Sequence, residues 1–308
     1  MKKKLLVFFT IFFFVLSILT FAQTYQNKII IYAPATPSSI PYIIASNYLK
    51  NTELVVFTNH SQANAMFLKD EIQILTTGLS VGINFFNQNI PVKIINSYVA
   101  GLTSLVTYGK KIQSLTELKG KKVALPFAGS PIEEVFDFFC KKENIKMKEE
   151  IEIIYFPFAS SVELLKKGEI FAVALPEPDV SNIKNLPNIF VSLSFYDLWV
   201  KYTGIKNGYP QVGTFVKANW ANANLEYIKK LNFELIRAIE LINNNIDMAI
   251  NISQKYFEGL DKNVLKEALL NTKFYFEEKQ SLENSILNYY KIIGKPLDEK
   301  FKEFFFKY

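Results

Sequence analysis

The chain is poor in the side chains that most often carry polar chemistry. Arg237 is its single arginine, Cys140 its single cysteine and His60 its single histidine. One cysteine and one histidine on unrelated segments exclude an internal disulfide, a Cys/His zinc site and a Cys–His nucleophilic pair, so no metal site is expected. Cys140 falls on the apolar stripe of a helical pattern, where a thiol acts as a small buried hydrophobe. With so little arginine, a guanidinium clamp on a carboxylate would have to come from Arg237, and that residue lies in the helical C-terminal stretch. A concentrated basic face is also missing. The net charge of +6 drops to +3 once Lys2, Lys3 and Lys4 are set aside, and residues 102–214 hold 14 Lys against 13 Asp or Glu. That balance excludes phosphate tracking, and nucleic acid is not expected as a partner.

What is present is apolar. The 308 residues are 49% hydrophobic and 15% aromatic, enough to bury a sizeable core in one large domain or two lobes. Residues 1–22 read as a secretory signal peptide: three lysines, the apolar run Leu5 to Phe21, and small residues at Thr20 and Ala22 before a mature start near Gln23. The alternative is an uncleaved anchor, since the run is nearly long enough to span a bilayer. No cysteine follows Ala22, which excludes a lipoprotein anchor.

Downstream the pattern alternates strand and helix. Lys28–Tyr32, Leu54–Thr58, Ile72–Leu75 and Val92–Ser97 read as strands, with helices over 40–49, 61–69 and 80–86 between them. Leu102–Tyr108 opens a second series: strand 122–125, helix 131–143, strand 151–155, a helix begun by a Ser160/Glu163 capping box, and strand 170–175. A less regular stretch follows, then an extended segment over 209–216 and a tail read as helical from Asn224 onward. The β-α-β rhythm implies helix-flanked, mostly parallel sheets with a ligand crevice at the carboxyl ends of the strands.

Lys122-Val-Ala-Leu-Pro-Phe-Ala-Gly-Ser-Pro131 shows how such a crevice is built. A short strand stops at Pro126, Ser130 stands as a helix N-cap, Pro131 takes the first helical position and Glu133 completes a capping box. The following helix start directs backbone N–H groups and the positive dipole end at the cleft.

The segments Leu118-Lys-Gly-Lys-Lys-Val-Ala-Leu-Pro-Phe-Ala-Gly-Ser-Pro131, Glu163-Leu-Leu-Lys-Lys-Gly-Glu169 and Ala172-Val-Ala-Leu-Pro-Glu-Pro178, in that order, resemble the periplasmic solute-binding proteins of ABC importers. The branch in question handles nitrate, sulfonates, taurine and thiamine-precursor pyrimidines. The resemblance implies an α/β, two-lobed type II periplasmic binding protein fold with a helical C-terminal tail. It places lobe I at 23–101 plus 215–308 and lobe II at 102–214, with a small-molecule ligand between them. It further implies an extracytoplasmic, monomeric, non-enzymatic protein without a cofactor, whose hinge closure is recognised by a membrane permease. Two other classes remain open: an enzyme on the same scaffold, of the menaquinone or pyrimidine synthesis type, and a membrane-anchored sensor ectodomain.

On this reading the cleft is lined by loops that follow strands. The candidates are Thr36, Ser38, Ser39, Thr76, Thr77, Gly78, Ser80, Phe127, Gly129, Ser130 and Glu177. Ser39, Ser80 and Ser130 also read as plain helix caps, with Ser38 an alternative to Ser39, and Thr76 to Gly78 as ordinary turn residues. Glu177, between two prolines, is expected to be held in one orientation, for a ligand or for the hinge. Phe127 would stack on a planar ligand or pack under the hinge. Tyr98, Phe158 and Trp199 are assigned to the core, while His60 and Tyr209 lie where the rim could be and His60 reads as solvated surface. Glu133, Glu134 and Glu177 gather negative charge in lobe II. The expectation is therefore a small polar or heteroaromatic ligand with an amine or amide donor, rather than nitrate or a sulfonate.

Overall fold

The computed structural model describes residues 28–308, so the expected signal peptide and the start at Gln23 lie outside the described residues. The chain begins with β1 (Ile29–Pro34), a 3-10 turn (Pro37–Ser39), α1 (Ile40–Ser46), β2 (Thr52–Phe57), α2 (His60–Leu68), β3 (Ile74–Gly78), α3 (Leu79–Asn87) and β4 (Val92–Gly101). It then crosses to β5 (Thr103–Tyr108), β6 (Lys122–Leu125), α4 (Pro131–Lys142), α5 (Met147–Glu150), β7 (Glu152–Tyr155), α6 (Phe158–Lys166), β8 (Ala172–Pro176), α7 (Asp179–Ile183), β9 (Ile189–Ser194) and α8 (Phe195–Thr203). The return comprises β10 (Val212–Lys217), α9 (Ala218–Ala223), α10 (Leu225–Asn244), α11 (Ile246–Ser253), α12 (Lys262–Asn271), β11 (Lys273–Glu277) and α13 (Lys279–Ile292), and it ends in a 3-10 turn (Glu299–Glu303).

These strands make two sheets, ordered β11-β4-β10-β3-β1-β2 and β7-β6-β8-β5-β9. The α/β, two-sheet class expected from the sequence holds, but the sheets are mixed. β1 runs parallel to β2 and β3, whereas the returning β10 is antiparallel to β3 and β4 and β11 is antiparallel to β4. In the second sheet β6 is parallel to β7 and β8, while β5, fresh from the crossing, is antiparallel to β8 and β9. The antiparallel pairings all involve strands that lie beside a crossing or in the tail.

Three local readings are corrected. The tail is not wholly helical, since Lys273–Glu277 is an edge strand and Phe305 makes a parallel bridge to Ile94. The stretch after Glu177 is more regular than its Asn and Pro content implies, holding α7, β9 and α8. The Ser160/Glu163 capping box does not form. The helix starts earlier, at Phe158 with Pro157 before it, and Glu163 pairs with Lys166 at 2.9 Å instead.

The two crossings are tied to each other. Leu102 alone separates β4 from β5, and its N–H donates to Gln211 Oε1 at 3.3 Å, while Gln211 Nε2 donates to Thr103 Oγ1 at 2.7 Å. Gly208, at φ +76, lies so close that a Cβ would sit 2.5 Å from the Ala100 carbonyl oxygen. Only glycine combines that backbone conformation with that approach. One hydrophobic cluster runs from Leu79 and Phe215 beside the first sheet to Ile132, Phe136 and Trp199 beside the second, with Tyr209 and Tyr289 between, so the two halves share apolar surface. Cys140 is fully buried, and burial pushes its thiol up to about 12. Among the described residues no helix is long and apolar enough to cross a membrane.

Candidate functional site

The first half of the site is the turn after β1. Pro37 and Pro41 favour helical φ values, so the 3-10 turn runs directly into α1 and Ser39 is itself already helical, at φ −76 and ψ −19. Its side chain therefore does not cap α1, contrary to the sequence reading. Ser39 Oγ donates back to the Thr36 carbonyl at 2.9 Å, and Ser38 Oγ shares a 2.6 Å hydrogen bond with Thr36 Oγ1. Ser38 and Ser39 are completely buried.

Thr76 approaches the same region from β3. Strand alternation sends its side chain to the face used by Ile74, towards the layer containing Tyr42 and Tyr98. The Tyr98 hydroxyl faces the hydroxyls of Thr76 and Ser38. Burial pushes the Tyr98 phenol well up, and those two neighbours oppose the rise. Among the described residues neither Tyr98 OH nor Thr76 Oγ1 reaches full hydrogen-bond geometry with a partner, although both residues have no exposed surface. Leaving such a group unpaired costs about 1–3 kcal/mol. The platform beside them is fully bonded: Tyr42 OH meets Thr214 Oγ1, which donates to Asn96 Oδ1 at 2.6 Å, and Asn96 Nδ2 donates to Asn232 Oδ1 at 2.7 Å. Unpaired hydroxyls beside a rigid, satisfied network are positioned to receive a polar group.

Thr77, Gly78 and Ser80 do something else. Thr77 is buried, pairs with Gly213 and points to the opposite side of β3 from Thr76, so it does not join that group. Gly78 is the N-cap of α3, and a Cβ on it would lie 2.5 Å from Pro131 Cγ of the second half. Ser80 lies inside α3 and is not its cap; its Oγ donates to the Gly129 carbonyl at 2.9 Å. The two halves thus touch at these residues.

Across from them Phe127 is 42% exposed, and Gly129 takes φ +75 ahead of α4. Ser130 caps as the sequence indicates, its Oγ accepting from Glu133 N at 3.1 Å. Glu133 reaches back to the Gly129 N–H, one residue earlier than in a standard capping box. Its carboxylate also takes the Tyr155 hydroxyl and, at 3.0 Å, Lys148 Nζ. Burial opposes ionisation there, but Tyr155, Gly129 and Lys148 together outweigh it and hold the carboxyl below its usual range. Glu134 is raised by burial, against Lys295 at 3.2 Å and the Tyr290 hydroxyl. The negative charge expected to repel anions here is therefore matched by Lys148 and Lys295. Arg237 pairs with Glu234 on α10, as its place in the tail implied.

Glu177 is oriented, and by protein groups. Oε2 accepts from Ser181 N at 3.0 Å, and Oε1 accepts from Asn271 Nδ2 of α12 at 2.8 Å. Helix α12 also packs on the Pro37–Ser39 turn and on α7, and Lys184, which follows α7, pairs with its Glu267. Two residues beyond Glu177, Asp179 opens α7 with no hydrogen bond or ion pair among the described residues. Burial raises its carboxyl to about 6, with the neighbouring Glu177 charge adding to the rise. A half-buried carboxylate without a cation, where α7 meets the other half of the molecule, is a functional candidate.

Sequence reasoning missed Tyr98 and Asp179 as site residues. Tyr98 is in the core as expected, and no periodicity tells which phenol lacks a partner. Asp179 sits in the first turn of a short helix, where an acidic residue reads as a dipole partner. Of the rim readings, Tyr209 is buried against Trp199 and Tyr289, and His60 is half-buried edge-on to Phe57 with its pKa lowered by burial. Trp199 is core and Phe158 half-buried. Among the described residues no group of three or more His, Cys, Asp or Glu is placed to hold a metal ion.

Two mixed sheets joined by paired crossings, with polar groups converging where the halves meet, define the type II periplasmic binding protein fold. Solved structures of solute-binding components of ABC importers share it with this chain. The periplasmic aliphatic sulphonate-binding protein SsuA from Escherichia coli is 15% identical, with a TM-score of 0.74 over 92% of each chain. The ligand-binding component of an ABC-type import system from Staphylococcus aureus, solved with zinc bound, is 14% identical, with a TM-score of 0.74 over 92% of this chain and 97% of that one. The periplasmic nitrate-binding protein NrtA from Synechocystis PCC 6803 is 15% identical, with a TM-score of 0.67 over 84% of this chain and 75% of that one. No protein-family model matches the sequence, and no curated protein sequence matches it.

Proposed function

We propose that this chain is the extracytoplasmic solute-binding component of an ABC importer. It would capture a small polar ligand between its lobes, close around it by a hinge motion and present the closed form to a membrane permease. The observation that carries this reading is the convergence of the Tyr98 and Thr76 hydroxyls of β4 and β3, fully buried and without a partner of full hydrogen-bond geometry among the described residues, with Ser38 of the turn after β1. The likeness in fold to the sulphonate- and nitrate-binding proteins supports it. The lobes would divide near Leu102 and within β10, with residues 1–22 acting as the export signal. The protein would work as a monomer and without catalysis.

The ligand class follows from the groups on offer. Three hydroxyls on the β3–β4 side give and accept hydrogen bonds without contributing charge, whereas Asp179 on the other side offers an unpaired carboxylate. A ligand with a carbonyl, hydroxyl or ring nitrogen towards Tyr98 and Thr76, and an amine, amide or ring N–H towards Asp179, satisfies both. A heteroaromatic amine of pyrimidine type meets that description, with Phe127 available as a cover. In this reading Glu177 serves as the support that fixes Asp179, and Ser80, Gly129 and Ser130 form the closing edge. Thermal-shift and calorimetric screening of nitrogen heterocycles, amines, sulfonates and nitrate tests the proposal. Stabilisation by heterocycles or amines that disappears in Asp179→Asn is expected. Stabilisation by nitrate or sulfonates alone would overturn the ligand class, and no response to any small solute would overturn the function.

A further inference from the structure

A cavity with polar walls lies away from these residues, on the side of the crossings where β11 and α13 pack. It measures about 480 Å³, within the range that holds small ligands, and none of the candidate cleft residues lines it. Its walls come from three parts of the chain: Tyr209 from the return crossing, Tyr275 and Glu277 from β11, and Ser281, Asn284 and Asn288 from α13. Two of these carry buried atoms with no hydrogen-bond partner among the described residues, Tyr209 OH and Glu277 Oε2, and Tyr209 is only 2% exposed. The neighbouring cations are occupied or elsewhere. Lys279 pairs with Glu278 and lies over the Tyr308 ring, and Lys206 lines an adjoining cavity of about 500 Å³ that shares Asn207 and Tyr275 with this one. Glu277 thus faces a roomy, amide- and hydroxyl-lined space with no cation paired to it among the described residues and with Oε2 free, its pKa raised by burial against the hydrogen bond from the Ser285 hydroxyl.

An unpaired carboxylate oxygen, phenol rings and oxygens, and amide carbonyls together match one kind of ligand. A protonated amine pairs its charge with Glu277, donates its N–H groups to amide and phenol oxygens and lies against aromatic faces. We propose that this cavity is a second site, distinct from the cleft, that takes a small primary ammonium compound. Because Tyr209 belongs to the return crossing, whose Gln211 is bonded to Leu102 and Thr103 of the other crossing, an occupant would brace the segment that swivels when the lobes close. The site is therefore placed to bias closure from behind the hinge.

Trp199 supplies the readout, since its ring lies 5.2 Å from that of Tyr209. In a Trp220→Phe background it is the single tryptophan. Titrating that protein with ethanolammonium at neutral pH is expected to give a saturable change in Trp199 fluorescence, while ethylene glycol, its uncharged analogue, gives none. Glu277→Gln, with an unchanged circular dichroism spectrum, should weaken the interaction about tenfold or more. Thr76→Val and Asp179→Asn, which alter the proposed cleft, should leave it unchanged. The proposal is overturned if ethanolammonium gives no saturable signal, if ethylene glycol binds equally, if Glu277→Gln binds as tightly as the parent, or if Asp179→Asn abolishes the response, which would place the amine in the cleft. Failure of the cleft reading would leave the Glu277 dependence standing, so the two sites are tested separately.

Discussion

Ser80 Oγ donates to the Gly129 carbonyl at 2.9 Å, joining the first turn of α3, beside one sheet, to the loop before α4, beside the other. Both ends are short and fixed, since Ser80 is held in a helix and Gly129 in a left-handed turn at φ +75. The bond forms only when the halves are together, so under the proposed hinge motion it would act as a latch on a closed arrangement. Ser80→Ala should shift the population towards an open form by about 1 kcal/mol, roughly fivefold, with little change in global stability. Small-angle scattering or a distance between spin labels on the two lobes measures the shift.

Gly78→Ala probes the same edge through sterics. The backbone at Gly78, φ −59 and ψ 141, accepts alanine, but the added Cβ would meet Pro131 Cγ at 2.5 Å. A ring carbon opening α4 cannot step aside as the tip of a flexible chain would. The expected result is a folded protein with a normal melting temperature whose lobes stay apart, seen as a larger radius of gyration that added ligand does not reduce.

Thr76→Val and Tyr98→Phe separate a binding role from a structural one. Each removes a buried hydroxyl that has no partner of full hydrogen-bond geometry among the described residues, so stability should be unchanged or rise by up to about 1 kcal/mol. Ligand affinity should fall for both. Substitutions that stabilise while impairing binding mark a site that holds unpaired groups for its ligand. A loss of stability of several kcal/mol in either variant would mean that the hydroxyls serve the core.

Asp179 and Glu177 should respond in opposite ways. The Asp179 carboxyl is raised from 3.8 to about 6, so the folded state holds its proton more tightly than the unfolded chain does. Stability from this group therefore declines as pH rises from about 4 to about 6, by an amount on the order of 3 kcal/mol, and the loss is complete above that window. Asp179→Asn should flatten that part of the stability–pH curve, and binding of a cationic ligand to the parent should strengthen over the same range. Glu177→Gln places an amide N–H₂ against Ser181 N or Asn271 Nδ2, both donors, and should cost about 1–3 kcal/mol in urea unfolding.

How much of this was legible in the sequence depends on how local the cause is. Ser130, Pro131 and Glu133 lie within four residues, and their cap formed with a one-residue shift in what Glu133 accepts. The strand–helix rhythm gave the fold class because apolar periodicity reports burial directly. Strand direction was less legible. Whether β10 runs with or against β3 depends on where the chain returns, which no short window encodes. The cations that offset Glu133 and Glu134 were hidden for the same reason: Lys148 and Lys295 reach them from 15 and 161 positions away in the sequence. Glu177 was oriented as its flanking prolines implied, but the carboxylate left free was Asp179, because Asn271 arrives from a helix far along the chain.

The most direct test of the central claim is native mass spectrometry of the protein purified gently from cells, beside the Thr76→Val/Tyr98→Phe double variant. The account expects one small molecule bound per chain in the parent, released on denaturation, and none in the variant under identical handling. Bare parent protein, together with no metabolite in a whole-cell extract that raises its melting temperature, would contradict it.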